Sequence, residues 1–171
     1  MQFIKIFLFT IIAFLAVKTA SAQTEVSWDG SGNKIIKGFM TKQELVTDTA
    51  FAWYAENLKG YIPNQDALQS FRANKDSINI IAFGGTWCGD TKYVLPKFLG
   101  LMDAAGVSQN RITLIGVDRD KKTIHYLAEA FNVTLVPTII IMKNGKEIGR
   151  VVEYGKSGMF DKDLGEILTG K

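Results

Sequence analysis

Short, nearly continuous apolar runs alternate with stretches of helical period along the second half of the chain. The runs at residues 78–83 and 112–117 are typical of strands covered on both faces of a sheet. Residues 138–142 and 147–152 flank Asn144-Gly145, a turn signal that predicts a β-hairpin. Apolar periodicity predicts helices at residues 88–105, 123–131 and 159–168. The order β, α, β, α, β, β, α predicts an α/β fold, with a central mixed sheet flanked by helices.

The N-terminal 22 residues are typical of a secretory signal peptide. Lys5 precedes an apolar run at residues 6–17, and the segment closes with Ala20-Ser21-Ala22. We expect cleavage after Ala22 and a periplasmic or secreted mature protein. An uncleaved anchor is disfavoured because a run of about 12 residues is shorter than the roughly 20 that a membrane span needs. No stable membrane span is expected once the signal peptide is removed.

The segment that follows the signal peptide has a weaker pattern. Residues 23–40 are rich in Gly, Ser and small polar residues, which favours a flexible lead-in. Thr41 and Glu44 form a capping box that predicts the start of a helix, and a shorter helix is expected at about residues 65–73. The mature chain is therefore divided into an N-terminal extension with helices, residues 23–76, and an α/β domain, residues 77–171.

The charge of the chain argues against one class of partner. The sequence carries 20 Lys and Arg residues against 17 Asp and Glu residues, a formal net charge of +3. Because Lys5 and Lys18 lie in the signal peptide, the mature protein is nearly neutral. Its longest basic run is Lys121-Lys122, and no basic stripe with interleaved aromatic residues is visible. We therefore expect no nucleic-acid partner.

The chain contains one cysteine, in the stretch TWCGDTK. Cys88 cannot form a disulfide within its own chain, so it is free for chemistry or for an intermolecular bond. It lies at the predicted start of a helix, where unpaired backbone N–H groups and the helix dipole favour a thiolate. The alternative is an inert buried thiol, because free cysteine is among the most buried residue types. His125, the only histidine, is distant in sequence, which disfavours a Cys-His hydrolase or a metal site.

The order of several motifs resembles that of the thioredoxin superfamily over about residues 77–171. These motifs are Trp87-Cys88-Gly89-Asp90-Thr91 after a strand, Pro96 inside the following helix, Val136-Pro137-Thr138, Asn144-Gly145 and Gly155. The resemblance implies a thioredoxin fold with an N-terminal helical extension and a single-cysteine variant of the dithiol site. It also implies that Cys88 is the reactive cysteine and Trp87 a flanking lid. Pro137 would then be a cis-proline beside the sulfur, and Val136 would offer its backbone to a bound peptide.

Three departures from the family pattern are mutually consistent. Thr91 stands where the resolving cysteine belongs, so an attack by Cys88 on a disulfide would stop at a mixed disulfide until another thiol arrives. Ala82 and Leu114 stand where many members carry a buried Asp and Lys. Without a second sulfur there is no proton for that acid to move, and losing both charges leaves neither unpaired in the core. Asp90 places a negative charge near the sulfur, which opposes the thiolate.

The resemblance predicts a monothiol protein that takes part in thiol-disulfide exchange. Thr91 is expected to donate a hydrogen bond to the sulfur. The expected catalytic residues are Cys88, Thr91 and Pro137, and the expected substrate-binding residues are Trp87, Gly89, Asp90 and Val136. The partner would be a disulfide-containing client protein or a low-molecular-weight thiol, and no metal or cofactor signature is visible. The alternative is a non-catalytic module that binds an extended peptide in the same groove. A single-cysteine peroxidase is disfavoured, because Gly85 stands three residues before the cysteine, where a Thr is needed.

Overall fold

The computed structural model describes residues 24–170, which form a six-stranded sheet flanked by helices. The predicted signal peptide lies outside the described residues. The strands are Thr24–Trp28 (β1), Lys34–Met40 (β2), Ile78–Gly84 (β3), Ile112–Gly116 (β4), Thr138–Lys143 (β5) and Lys146–Val152 (β6). Their order across the sheet is β1-β2-β4-β3-β5-β6; β3 and β4 are parallel, and the other neighbours are antiparallel. The predicted mixed α/β sheet is confirmed.

The helices cover the two faces of the sheet unequally. They are Lys42–Thr47 (α1), Trp53–Leu58 (α2), Gln65–Asn74 (α3), Gly89–Ala105 (α4), Leu127–Ala130 (α5) and Phe160–Thr169 (α6). All of them except α5 contribute to the larger core, on what we call the helical face, with Leu45, Tyr54, Phe71, Leu99 and Leu164 among its members. The smaller core on the opposite face is closed by α5 and its neighbouring loops.

Strand β3 shows why a nearly continuous apolar run predicts a central strand. Ile78, Ile80 and Ala82 belong to the core on the helical face, whereas Phe83 belongs to the smaller core. All four side chains are at most 1% exposed. Because successive side chains of a strand point to opposite faces, burial on both faces requires hydrophobic residues at nearly every position.

Residues 24–40 form a β-hairpin, so the expectation of a flexible lead-in is wrong for this segment. β1 and β2 pair antiparallel, and β2 also pairs antiparallel with β4, where Gly38 lies opposite Gly116. The Ile36 side chain is only 3% exposed and belongs to the core on the helical face. The Gly-rich stretch that suggested flexibility is the turn between the two strands, residues 29–33. The composition therefore indicated the turn but not the strands on either side of it.

The predicted helix after residue 41 begins as expected but is interrupted. The capping box is present: Thr41 Oγ1 accepts a hydrogen bond from the Glu44 backbone N–H, and the Glu44 carboxylate accepts one from the Thr41 N–H. Asp48 then ends α1, and its side chain accepts a hydrogen bond from the Ala50 N–H at the start of a 3-10 turn, Thr49–Phe51. A short polar side chain that binds the backbone in this way competes with helix continuation.

The helix predicted at residues 123–131 is much shorter in the structure. A 3-10 turn at Ile124–Tyr126 precedes α5, which has only four residues. His125 and Tyr126 have φ angles of 53° and 55°, so the backbone leaves the right-handed helical region there. The side chains of both residues are exposed. Apolar periodicity alone could not detect this local change of backbone handedness.

Candidate functional site

Cys88 lies at the junction between the central strand and the longest helix. β3 ends at Gly84, and after a three-residue loop Cys88 occupies the N-cap position of α4. Its backbone is extended, with φ −84° and ψ 130°, and its carbonyl accepts the Lys92 N–H at 3.0 Å. The cysteine side chain forms no capping hydrogen bond. Cys88 therefore directly precedes the first-turn amides, which have no partner within the helix, although its sulfur does not bind them.

The sulfur contacts the loop that precedes β5. Cys88 Sγ donates a hydrogen bond to the Val136 carbonyl oxygen at 3.3 Å. The peptide bond between Val136 and Pro137 is cis. Both loop residues are buried, whereas Cys88 is half-buried. The fold thus brings together three of the expected site residues, although 48 positions separate Cys88 from Val136.

The Trp87 side chain is held by a hydrogen bond from its indole N–H and by contacts on its ring. The indole Nε1 donates a hydrogen bond to the Val117 carbonyl oxygen at 3.0 Å. A Cβ atom added to Gly85 would lie 2.7 Å from the Trp87 ring, so this position requires glycine. The Arg119 guanidinium carbon lies 5.0 Å from the ring centroid and the Lys121 ammonium 5.9 Å from it. Two cations therefore lie within the range of a favourable interaction with the indole.

The expected hydrogen bond from Thr91 to the sulfur is not formed. Thr91 is fully buried, and its Oγ1 accepts a hydrogen bond from the Gly85 backbone N–H at 3.2 Å. Its methyl group lies 2.9 Å from the place where a Cβ of Gly84 would stand, which indicates close packing on the end of β3. Thr91 therefore stabilises the loop that carries the cysteine and does not hold the thiolate directly.

The two positions that lack the family's buried charges face each other in the sheet. Ala82 of β3 and Leu114 of β4 are register partners in the parallel pair. Their side chains are 1% and 4% exposed and belong to the core on the helical face. Because both residues are apolar, this part of the core contains no unpaired charge near the end of β3. The two positions therefore contribute apolar packing to the core.

Asp90 binds Tyr154, a residue that the sequence did not predict to lie at the site. The Tyr154 hydroxyl donates a hydrogen bond to Asp90 Oδ1 at 2.9 Å. Burial raises the pKa of Tyr154 to about 12, and the hydrogen bond to Asp90 is the second cause. Its neighbour Glu153 donates its backbone N–H to the Pro137 carbonyl oxygen at 2.7 Å. The only sequence signal for this loop was the adjacent Gly155, which gave no reason to pair a phenol with the active-site helix.

The turn of the N-terminal hairpin, residues 29–33, binds two basic residues near the site. Arg119 Nε donates a hydrogen bond to Asp29 Oδ2 at 3.1 Å, and Lys92 Nζ donates one to Asn33 Oδ1 at 2.8 Å. The backbone N–H of Asn33 and the guanidinium of Arg119 hold the pKa of the Asp29 carboxyl well below its usual range. The Arg119 guanidinium, which lies over the Trp87 ring, is therefore also bound to the turn of the hairpin.

Gly89, the remaining expected site residue, is exposed, and a Cβ atom added there would meet no other group within 4 Å. Its place beside the cysteine is therefore not explained by steric need.

Across residues 24–170, no group of three or more His, Cys, Asp or Glu side chains could hold a metal ion. None of the helices in that part of the chain is long and apolar enough to cross a membrane.

A mixed sheet, a cysteine at the N-cap of the helix after the central strand, and a cis-proline loop on its sulfur together define a single-cysteine thioredoxin-like protein. Residues 62–164 match the thioredoxin family model. A thioredoxin of Echinococcus granulosus is 34% identical over 94 residues, which cover 55% of this chain and 81% of that protein. A thioredoxin of Chlamydia pneumoniae is 32% identical over 110 residues, which cover 64% and 95%. The chain belongs to the thioredoxin family and is a thioredoxin-like redox protein.

Among solved structures, the thioredoxin of Fasciola hepatica is similar to this chain. The TM-score is 0.40 and the sequence identity 24%, and the match covers 60% of this chain and 88% of that one. The family match begins at residue 62 and therefore includes α3, which lies in the segment predicted to be an N-terminal extension.

Proposed function

We propose that this protein is an exported monothiol thiol-disulfide exchanger with Cys88 as its nucleophile. The observation that carries the proposal is the position of the half-buried Cys88 at the N-cap of α4, beside the loop that contains the cis peptide bond before Pro137. A helix N-terminus stabilises an anion, and partial exposure lets a second sulfur approach. Trp87 and the loop at Val136-Pro137 flank the approach to the sulfur.

In the first step the Cys88 thiolate attacks one sulfur of a client disulfide. A new S–S bond joins Cys88 to the client, the client's own S–S bond breaks, and its second sulfur leaves as a thiolate. Deprotonation of Cys88 also removes the hydrogen that the Val136 carbonyl accepts. That carbonyl is then free to accept a hydrogen bond from the client backbone, which would align the client beside the sulfur.

Two thiols can release the client from the mixed disulfide. When a client thiol attacks, a different client disulfide forms and Cys88 is regenerated, which is isomerisation without net oxidation or reduction. When two molecules of an external thiol react in turn, the client leaves with two free thiols and the external thiol leaves as its own disulfide. Because the chain has one cysteine, both electrons of a reduction come from outside.

The site has no internal route for release. Thr91 occupies the position one helical turn after Cys88, and its hydroxyl is bound to the Gly85 amide. Ala82 and Leu114 supply no acid or base in the core beside it. These features support an exchanger that depends on an external thiol, and the partner class is therefore a disulfide-containing client together with a low-molecular-weight or protein thiol.

A trapping experiment in the native cell envelope tests this function. Wild-type protein and the Cys88→Ser variant are produced with their own N-termini, thiols are blocked with iodoacetamide, and mixed disulfides are separated under non-reducing conditions. We expect adducts with the wild type that dithiothreitol releases, and none with Cys88→Ser. Equal capture by both chains, or no adduct with either, would refute the exchange mechanism. Mass spectrometry of the same samples checks export, for which the expected first residue is Gln23.

One contact favours the second candidate, a non-catalytic peptide-binding module. The hydrogen bond from Cys88 to the Val136 carbonyl requires the protonated thiol, so it stabilises the unreactive form. Alkylation across the pH range separates the two functions. Reaction with iodoacetamide at near-neutral pH supports the exchanger, and a sulfur that reacts only above about pH 8.5 supports the binding module.

A further inference from the structure

The loop after β6 places a phenol against the start of the active-site helix. Tyr154 is half-buried, its hydroxyl donates to Asp90 Oδ1 at 2.9 Å, and its ring lies 5.5 Å from that of Tyr93, centroid to centroid. The Glu153 N–H fixes the same loop to the Pro137 carbonyl at 2.7 Å. Tyr154 therefore connects the two segments that surround the sulfur, the first turn of α4 and the cis-proline loop.

Asp90 lies two residues after Cys88 in the first turn of α4. A carboxylate at this place opposes the formation of a thiolate nearby, because two negative charges would come close together. A hydrogen bond from a neutral donor spreads the carboxylate charge and weakens its field at the sulfur. After burial and the Asp90 hydrogen bond, the charges of Asp90, Tyr93 and Cys88 also raise the pKa of Tyr154. Because the pKa of Tyr154 is raised, its hydroxyl stays protonated at neutral pH and remains a hydrogen-bond donor to Asp90.

Five other charged groups near the site contact partners other than Asp90 and Tyr154. Lys92 is bound to Asn33, Arg119 to Asp29, and Asp163 to Ser157, while Lys97 and Lys121 lie over the Tyr93 and Trp87 rings. Glu153 and Lys156 flank the tyrosine loop, with Glu153 half-buried and Lys156 exposed. Within residues 24–170, Tyr154 is the side chain that donates a hydrogen bond to Asp90, and the structure shows no second donor there.

We propose that Tyr154 is a positioning residue that controls the reactivity of the Cys88 sulfur through its hydrogen bond to Asp90. The hydrogen bond from the phenol offsets part of the negative charge of the Asp90 carboxylate. The sulfur therefore ionises more easily than it would beside an Asp90 without this hydrogen bond. The inference deepens the proposed function, since control of the sulfur matters only where the sulfur reacts. It concerns ionisation alone and requires no client, oxidant or reductant.

A double-mutant cycle on alkylation tests the role of Tyr154. The rate of Cys88 alkylation by iodoacetamide is followed by mass spectrometry from about pH 5 to about pH 10, for the wild type, Tyr154→Phe, Asp90→Asn and the double variant. Asp90→Asn is expected to move the profile to lower pH by about half a unit or more, because a negative charge is removed. Tyr154→Phe is expected to move it to higher pH by about half a unit, which makes alkylation at pH 7 about threefold slower. In the Asp90→Asn background the tyrosine substitution should have no further effect.

Tyr61→Phe is a matched control. It also removes a hydrogen bond from a tyrosine to a carboxylate, Tyr61 to Asp161 Oδ2 at 2.8 Å, but that carboxylate lies in α6 and not in the first turn of the active-site helix. Its alkylation profile should equal that of the wild type. An unchanged or lower-pH profile for Tyr154→Phe, an equal shift in both backgrounds, or the same shift in Tyr61→Phe would overturn the inference. Because alkylation needs no client, a failed trapping experiment with the expected shifts would reject only the exchange function.

Discussion

Thr91 stands at the position expected for a second sulfur and has a structural role there. Its Oγ1 accepts the Gly85 amide in a fully buried setting, at 3.2 Å. A buried amide that has no hydrogen-bond partner costs more free energy than a typical hydrogen bond contributes to stability. Thr91 therefore fixes the loop that carries Trp87 and Cys88, and the position of the missing sulfur is filled by a group with its own function.

Substitution of Thr91 by Val should destabilise the fold more than substitution by Ser. Val keeps the shape but removes the acceptor of the buried Gly85 amide, so we expect a loss of about 1 to 3 kcal/mol in the free energy of unfolding. Ser keeps the acceptor and removes one methyl group, so we expect a loss of about 1 kcal/mol. Urea denaturation of the two variants measures the difference. A Val variant as stable as the wild type would show that the hydrogen bond is unimportant.

At the scale of secondary structure, the N-terminal hairpin is an integral part of the sheet. Val26 and Ile36 are register partners in β1 and β2, yet Val26 is 55% exposed and Ile36 3%. A Cβ atom added to Gly116 of β4 would lie 2.2 Å from the Ile36 carbonyl oxygen, so the two strands can approach closely only because this residue is glycine. β2 therefore completes the core, whereas β1 is the outer strand of the sheet.

The two halves of the hairpin should respond differently to the same kind of truncation. Ile36→Ala leaves a cavity in the core and should lower the free energy of unfolding by about 2 to 5 kcal/mol. Val26→Ala, its cross-strand partner, changes an exposed position and should stay within about 0.5 kcal/mol of the wild type. Thermal and urea unfolding of the two variants provide the comparison. Equal effects would contradict the view that β2 belongs to the core.

At the scale of the whole molecule, the segment that precedes β3 packs against the C-terminal helix α6. The Tyr61 hydroxyl and the Asn64 backbone N–H both donate to Asp161 Oδ2, at 2.8 and 2.9 Å. Helices α3 and α6 pack closely, and a Cβ atom added to Gly165 would lie 2.7 Å from the Ala67 Cα. The segment ahead of β3 and the C-terminal helix are thus parts of one core.

A larger side chain at Gly165 should separate these two helices. The atom in its way belongs to the backbone of α3, which cannot rotate aside, so Gly165→Val should cost about 1 to 3 kcal/mol of stability. Gly30→Val is the matched control, because an added Cβ there meets no other group within 4 Å. The midpoints of urea unfolding decide the question. If both variants unfold at the wild-type midpoint, the contact between α3 and α6 can accommodate a larger side chain.

The sequence by itself determined the elements that depend on neighbours in the chain. The apolar run of β3, the turn at Asn144-Gly145, the capping box at Thr41 and the helix start at Cys88 are all local signals, and each is present in the structure. The motifs around the cysteine also predicted the family, because their order along the chain survives the loss of the second sulfur.

Only the tertiary structure decided which distant groups meet. Strand β2 of the hairpin pairs with β4, although more than seventy residues separate the register partners Gly38 and Gly116. Tyr154 reaches Asp90 across 64 positions, and nothing in either local stretch indicates a partner. Periodicity and turn signals report what a segment does beside its neighbours, whereas contacts of this kind depend on how the sheet orders its strands. The chemistry around Cys88 is set by such contacts, and the sequence predicted only the sulfur, its helix and its loop.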